Sequence, residues 1–113
     1  MTENVSTKIT FADFKKVELK VAEVLSVTPH PNADKLYLLK VRIGAEERQI
    51  VAGIRPYYTP EQVQGRKIIV VANLEPRAVR GEVSDGMLLA ASDGTSVVFL
   101  TPERDIASGS AIS

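Results

Sequence analysis

Arg48-Gln49-Ile50-Val51-Ala52-Gly53, then Thr59-Pro60-Glu61-Gln62 ahead of Gly65, then Lys67-Ile68-Ile69-Val70-Val71-Ala72, is the stretch on which the fold turns. The first block reads as a strand that stops at a glycine. The second has the grammar of a helix start: Thr as N-cap, Pro at the first helical position and Gln at the third, with Gly65 ending the helix one turn later. The third block is apolar and β-branched, the mark of a buried strand. A strand, one short helix and a strand is a restrictive order.

Outward from this centre the chain is nearly all strand. Val17, Leu19 and Val21 alternate with Glu18, Lys20 and Ala22, the period of a half-buried strand. Beyond Glu23 the apolar phase slips to Val24-Leu25 and then Val27, as a bulge would require. Pro29-His30-Pro31-Asn32-Ala33-Asp34 forms a turn, and a second strand runs from about Leu36 to Ile43. A fifth strand is expected over Met87–Ala91, followed by a Ser92-Asp93-Gly94-Thr95 hairpin turn into Ser96–Leu100. Thr10–Phe14 reads as a single helical turn seating two Phe rings on the barrel.

Five short strands with one helix between the third and fourth indicate an all-β chain, a five-stranded OB-fold barrel. A small sandwich or an SH3-like barrel shares the periodicity; the helix position favours the OB order. Residues 1–113 are expected to form a single domain, with a core at about 11–100 and a C-terminal extension at 101–113.

Composition removes whole classes of chemistry. The chain has no Cys and one His, so thiol nucleophiles, zinc ribbons and paired imidazole ligands are absent from the sequence. No catalytic constellation, metal site or cofactor site is expected. His30, between two prolines, reads as structural. There is no apolar run of membrane-spanning length and no signal-peptide core, so the expected location is cytoplasmic. The formal net charge is zero, but it is blocked. Residues 35–80 carry nine Lys/Arg against four acids, whereas 81–113 carry one against five. Such blocks either present a basic face to a polyanion or are mixed by folding.

Asn73-Leu74-Glu75-Pro76-Arg77, Arg80-Gly81 and Ser84-Asp85-Gly86-Met87 place cations, an amide and a hydroxyl close together. These groups suit a ribose-phosphate chain better than bond-making chemistry. Read singly, Lys35 is also a solvated charge after a turn, Asn73 a strand-end cap, Ser84 part of a tight turn and Met87 the start of a core run. Tyr37, Tyr57 and Tyr58 read either as base-stacking rings or as barrel packing.

His30-Pro31-Asn32-Ala33-Asp34-Lys35-Leu36, Arg48-Gln49-Ile50-Val51-Ala52-Gly53-Ile54, Asn73-Leu74 and Ser84-Asp85-Gly86-Met87, in that order, resemble the OB-fold tRNA-binding domain family. This family includes freestanding structure-specific tRNA-binding proteins and the C-terminal domain or separate beta subunit of methionyl-tRNA synthetases. The resemblance covers roughly residues 11–113. It implies non-catalytic binding of folded tRNA by shape and backbone, as a homodimer or as an accessory subunit of methionyl-tRNA synthetase. By position it implies phosphate contacts from Lys35 and Arg42, and a lip formed by Asn73, Ser84 and Met87. Arg77 and Arg80 join the expected RNA-binding set as nearby cations that compensate for Glu75. Many relatives carry Lys where this chain has Glu75, which sets an anion next to the implied site.

The dimer interface is expected at the Phe11–Phe14 segment and the tail from Thr101 to Ser113, where Ile106 and Ile112 have no evident place in the barrel. The alternative is a tail packed across its own barrel. The competing function is a dimeric OB-fold chaperone or export factor binding polypeptide, whose relatives depart from the His-Pro-Asn-Ala-Asp-Lys-Leu and Ser-x-Gly-Met patterns that this chain carries.

Overall fold

The computed structural model describes residues 7–113. Its elements are α1 (Phe11–Phe14), β1 (Leu19–Pro29), β2 (Tyr37–Ile43), β3 (Glu46–Ala52), α2 (Pro60–Val63) and β4 (Lys67–Val71). There follow β5 (Arg77–Val79), β6 (Glu82–Ser84), β7 (Met87–Leu88), β8 (Ala90–Ser92), β9 (Val97–Phe99) and β10 (Ala111–Ile112). An antiparallel sheet in the order β3-β2-β1-β4-β7 curls around the core, with β10 added to β1, while β5-β6 and β8-β9 form separate hairpins. This is the all-β OB-type barrel, with its helix α2 between β3 and β4. Among the described residues no helix is long and apolar enough to cross a membrane.

The bend that closes the sheet lies in β1. Its register against β2 shifts between Val24 and Ser26, at the apolar phase slip. Ala22 and Val24 point inward before the bulge and Val27 after it, joining Leu39, Val41 and Ile50 in the core. The N-terminal half of β1 pairs with β4 and the C-terminal half with β2. One strand thus serves two neighbours.

The phase of β1 is the reverse of that expected from apolar alternation. Ala22 is the core residue; Val21 is buried on the opposite face, and Val17 remains 42% exposed. The reason is the C-terminal tail, which lies along β1: Gly109 N–H donates to Val21 O, and Val21 N–H to Ser110 O. Both faces of this half-strand are covered, so alternation alone cannot tell which is the core.

Two further expectations need correction. The α1 turn forms, capped by Thr10 Oγ1 accepting from Asp13 N–H at 3.0 Å, but it does not seat its rings on the barrel. Phe11 is 74% exposed and Phe14 42%. The fifth strand is split: Leu89 separates β7, which pairs with β4, from β8, which pairs with β9. In α2 the Gln62 side chain reaches back to accept from Thr59 N–H at 2.8 Å, as the capping box requires.

Candidate nucleic-acid interface

The outer edge of β3 is sealed by a serine. Ser84 Oγ accepts from Val51 N–H and donates to Gly86 O, each at 3.0 Å, while Asp85 N–H donates to Gln49 O at 2.8 Å. Gly86 permits this turn because its φ is +129° and a Cβ there would lie 3.2 Å from Ile50 Cδ1 and Val71 O.

Beside this seam runs a groove of about 660 Å³. Leu36, Val51, Leu74 and Met87 line it, together with Glu75 and Arg77. Met87 is 46% exposed despite pairing with Val71 in the β4–β7 ladder. Lys35, exposed, directly precedes Leu36 in the wall.

A buried histidine sets the relation between Lys35 and Arg77. His30 Nε2 lies 2.9 Å from Val79 O, and Nδ1 accepts from Asn32 N–H at 2.9 Å. An acceptor Nδ1 leaves Nε2 as the protonated nitrogen that donates to Val79. Arg80 then donates to Asn32 O, and the Asn32 amide donates to Arg80 O. The loop carrying Lys35 is therefore fastened to the hairpin carrying Arg77. That hairpin is a two-residue turn at Arg80 (φ 54°) and Gly81 (φ 93°), the two positive values of a type I′ turn. Arg-Gly is a weaker signal for it than Asn-Gly, but a surface hairpin with solvated charges is one reading of this stretch, and the hairpin forms.

The seven residues expected to contact RNA are only partly brought together. Arg77 and Met87 line the groove; Lys35 and Arg80 flank it. Ser84 lies in the wall but is buried, its hydroxyl committed to the seam. Asn73 is committed as well: Oδ1 accepts from Glu18 N–H at 2.8 Å and Nδ2 donates to Lys16 O at 2.6 Å, tying the chain before β1 to the end of β4. Arg42 stands on the outer face of β2, six residues beyond Leu36 and so roughly 20 Å along the strand. It pairs with Glu23 directly across the β1–β2 ladder.

The charge block is mixed by folding only in part. Arg42 pairs with Glu23, Arg48 with Glu46 and Lys67 with Asp105. Lys35, Lys40, Arg55, Arg66, Arg77 and Arg80 have no acidic partner among the described residues, although Arg55 and Arg80 donate to backbone carbonyls and Arg66 lies over the Phe99 ring. Glu75, in the groove edge, offsets part of that remainder. Of the tyrosines, Tyr37 is core and donates to Tyr58 O at 2.6 Å, Tyr58 packs on Phe99 with ring centroids 4.9 Å apart, and Tyr57 is 47% exposed.

Residues 19–111 match the tRNA binding domain family. The chain is 47% identical over 104 residues to methionine–tRNA ligase of Pyrococcus horikoshii, an alignment covering 92% of this chain and 14% of that protein. It is 50% identical over 105 residues to that of Caldanaerobacter subterraneus, covering 93% and 16%. Among solved structures, a MetRS-related protein from Pyrococcus horikoshii superposes with a TM-score of 0.89 at 31% identity, over 96% of this chain and all of that one. Chaperone CsaA from Bacillus anthracis superposes at 0.88 with 27% identity, over 95% of this chain and all of that one. With the family matched over nearly the whole barrel, and Leu36, Val51, Leu74 and Met87 of the four motifs gathered around one groove, the chain belongs to the tRNA binding domain family.

Proposed function

We propose that this chain binds folded tRNA without catalysis, through shape and the ribose-phosphate backbone, in the cytoplasm. It acts as a homodimer or as an accessory subunit of methionyl-tRNA synthetase. The observation that carries this reading is the family match across residues 19–111, on a barrel whose free cations Lys35 and Arg77 border one groove. A-form RNA is recognised chiefly by shape, phosphates and 2′-hydroxyls, which such a rim can meet. Because the chain spans 14% of the ligase it matches, the ligase reaction is assigned to the remainder of that protein.

Dimerisation is supported by an apolar strip: Phe11, Phe14, Val17 and Ile112 are each more than a third exposed around one shallow depression. A two-fold contact would cover it and place two grooves on one surface.

The deciding experiment is fluorescence anisotropy with intact tRNA against a single-stranded oligonucleotide of equal length. A clear preference for intact tRNA is expected; equal affinity would make the protein a general single-strand binder. The likeness to chaperone CsaA supports a second reading, binding of polypeptide. Suppression of aggregation of an unfolded protein, without tRNA binding, would establish that reading instead.

A further inference from the structure

We propose that the groove between Leu36, Val51, Leu74 and Met87 seats one unstacked nucleobase of the bound RNA. The inference rests on the tRNA reading above and goes beyond it, because shape and backbone recognition require no base pocket.

Five observations point to a base. The walls are aliphatic side chains, which cover the face of a planar ring as well as they cover one another. Gly53 lines the groove without a side chain, the position of its missing Cβ lying 3.8 Å from Leu36 Cδ2. The backbone amides and carbonyls of Leu74 and Glu75 bond no other described residue, leaving donors and acceptors at the groove edge for the polar rim of a base. Arg77, in the lining, and the exposed Lys35, next in sequence to Leu36, are cations available to the phosphates flanking that nucleotide. A volume of about 660 Å³ lies within the range of sites that hold small organic ligands.

An extended peptide fits this place less well. Peptides commonly bind a sheet by adding a strand to a free edge. Here that edge of β3 is already occupied: Val51 N–H donates to Ser84 Oγ, and Gln49 O accepts from Asp85 N–H. What remains is a concave apolar slot with cations beside it.

The test is a methyl-resolved NMR titration of the full chain with unlabelled intact tRNA, run beside the anisotropy measurement. Ring currents from a seated base are expected to move the methyl signals of Leu36, Val51, Leu74 and Met87 upfield, with smaller changes at the outward-facing Val98. Binding by anisotropy with those four signals unmoved overturns the base site and leaves the tRNA reading intact. Absence of binding overturns both. A short apolar peptide that shifts the same methyls more strongly than tRNA does assigns the groove to polypeptide and overturns the proposal. Val51→Phe, which fills the slot from its wall, is expected to weaken tRNA binding at least fivefold with an unchanged melting temperature. Wild-type affinity in that variant also overturns the site.

Discussion

Val51 N–H donates to Ser84 Oγ at 3.0 Å across a sequence separation of 33 residues, and this bond helps turn a curled sheet into a closed barrel. Ser84→Ala strands both that N–H and Gly86 O, a cost of about 1–3 kcal/mol for buried groups left unpaired. Urea unfolding is expected to show this loss. At a temperature where the variant is folded, tRNA affinity should change less than twofold. Unchanged stability with lost affinity would make Ser84 a direct contact.

Glu75 is the one acid in the groove edge. Glu75→Lys is expected to tighten tRNA binding and steepen the plot of log K against log salt by roughly 0.7–0.9, the increment of one added phosphate contact. An unchanged slope would remove residue 75 from the footprint.

Arg77→Glu and Lys35→Glu should each weaken binding about tenfold or more at low salt, since neither cation is neutralised within the barrel among the described residues. Arg42→Glu sets an anion against Glu23 in the β1–β2 ladder and should instead cost stability. Comparable binding losses for all three would place Arg42 on the RNA face after all.

Phe11→Ser combined with Ile112→Ser removes two exposed apolar groups from one strip without touching the core. Sedimentation equilibrium at micromolar concentration should give about twice the monomer mass for the parent chain and the monomer mass for the variant. A monomeric parent that binds tRNA at full strength would end the composite-surface mechanism.

Acid should loosen the tail first. The hydrogen bond from Lys67 Nζ, reinforced by its charge, holds the Asp105 carboxyl below its ordinary value of 3.8. A carboxyl that titrates lower when folded contributes stability at neutral pH, and that contribution disappears as pH falls through the folded-state value. Protection factors for amide exchange at Gly109 and Ser110, corrected for the intrinsic rate at each pH, should therefore fall below about pH 4. Asp105→Asn should flatten that dependence.

Much of the barrel was legible because its signals are local. The β1 bulge shows as a slip in apolar phase, α2 as a capping box four residues long, and the β8–β9 turn as Ser-Asp-Gly-Thr. The face of β1 was not legible, because the segment that covers Val21 lies at the far end of the chain. The site was legible as a region and not as a residue set. Ser84, Asn73 and Arg42 have the chemistry of RNA contacts, yet each is engaged by a distant segment: Val51, Glu18 and Glu23. Polar residue type announces that a hydrogen bond will be made, and only the fold decides with what.

The tail that hid the phase of β1 also dictates a schedule. Leu19 pairs with Ile112 and Lys20 with Ala111, joining segments that leave the ribosome about 90 residues apart. At ordinary elongation rates the start of β1 waits roughly 5–20 s for that partner. During this interval its edge is open to neighbouring nascent chains, with Lys20 as the nearest charge to discourage them. Pairing of β10 with β1 is therefore a late step in folding, and truncation of the tail should be felt first as poor yield in the cell.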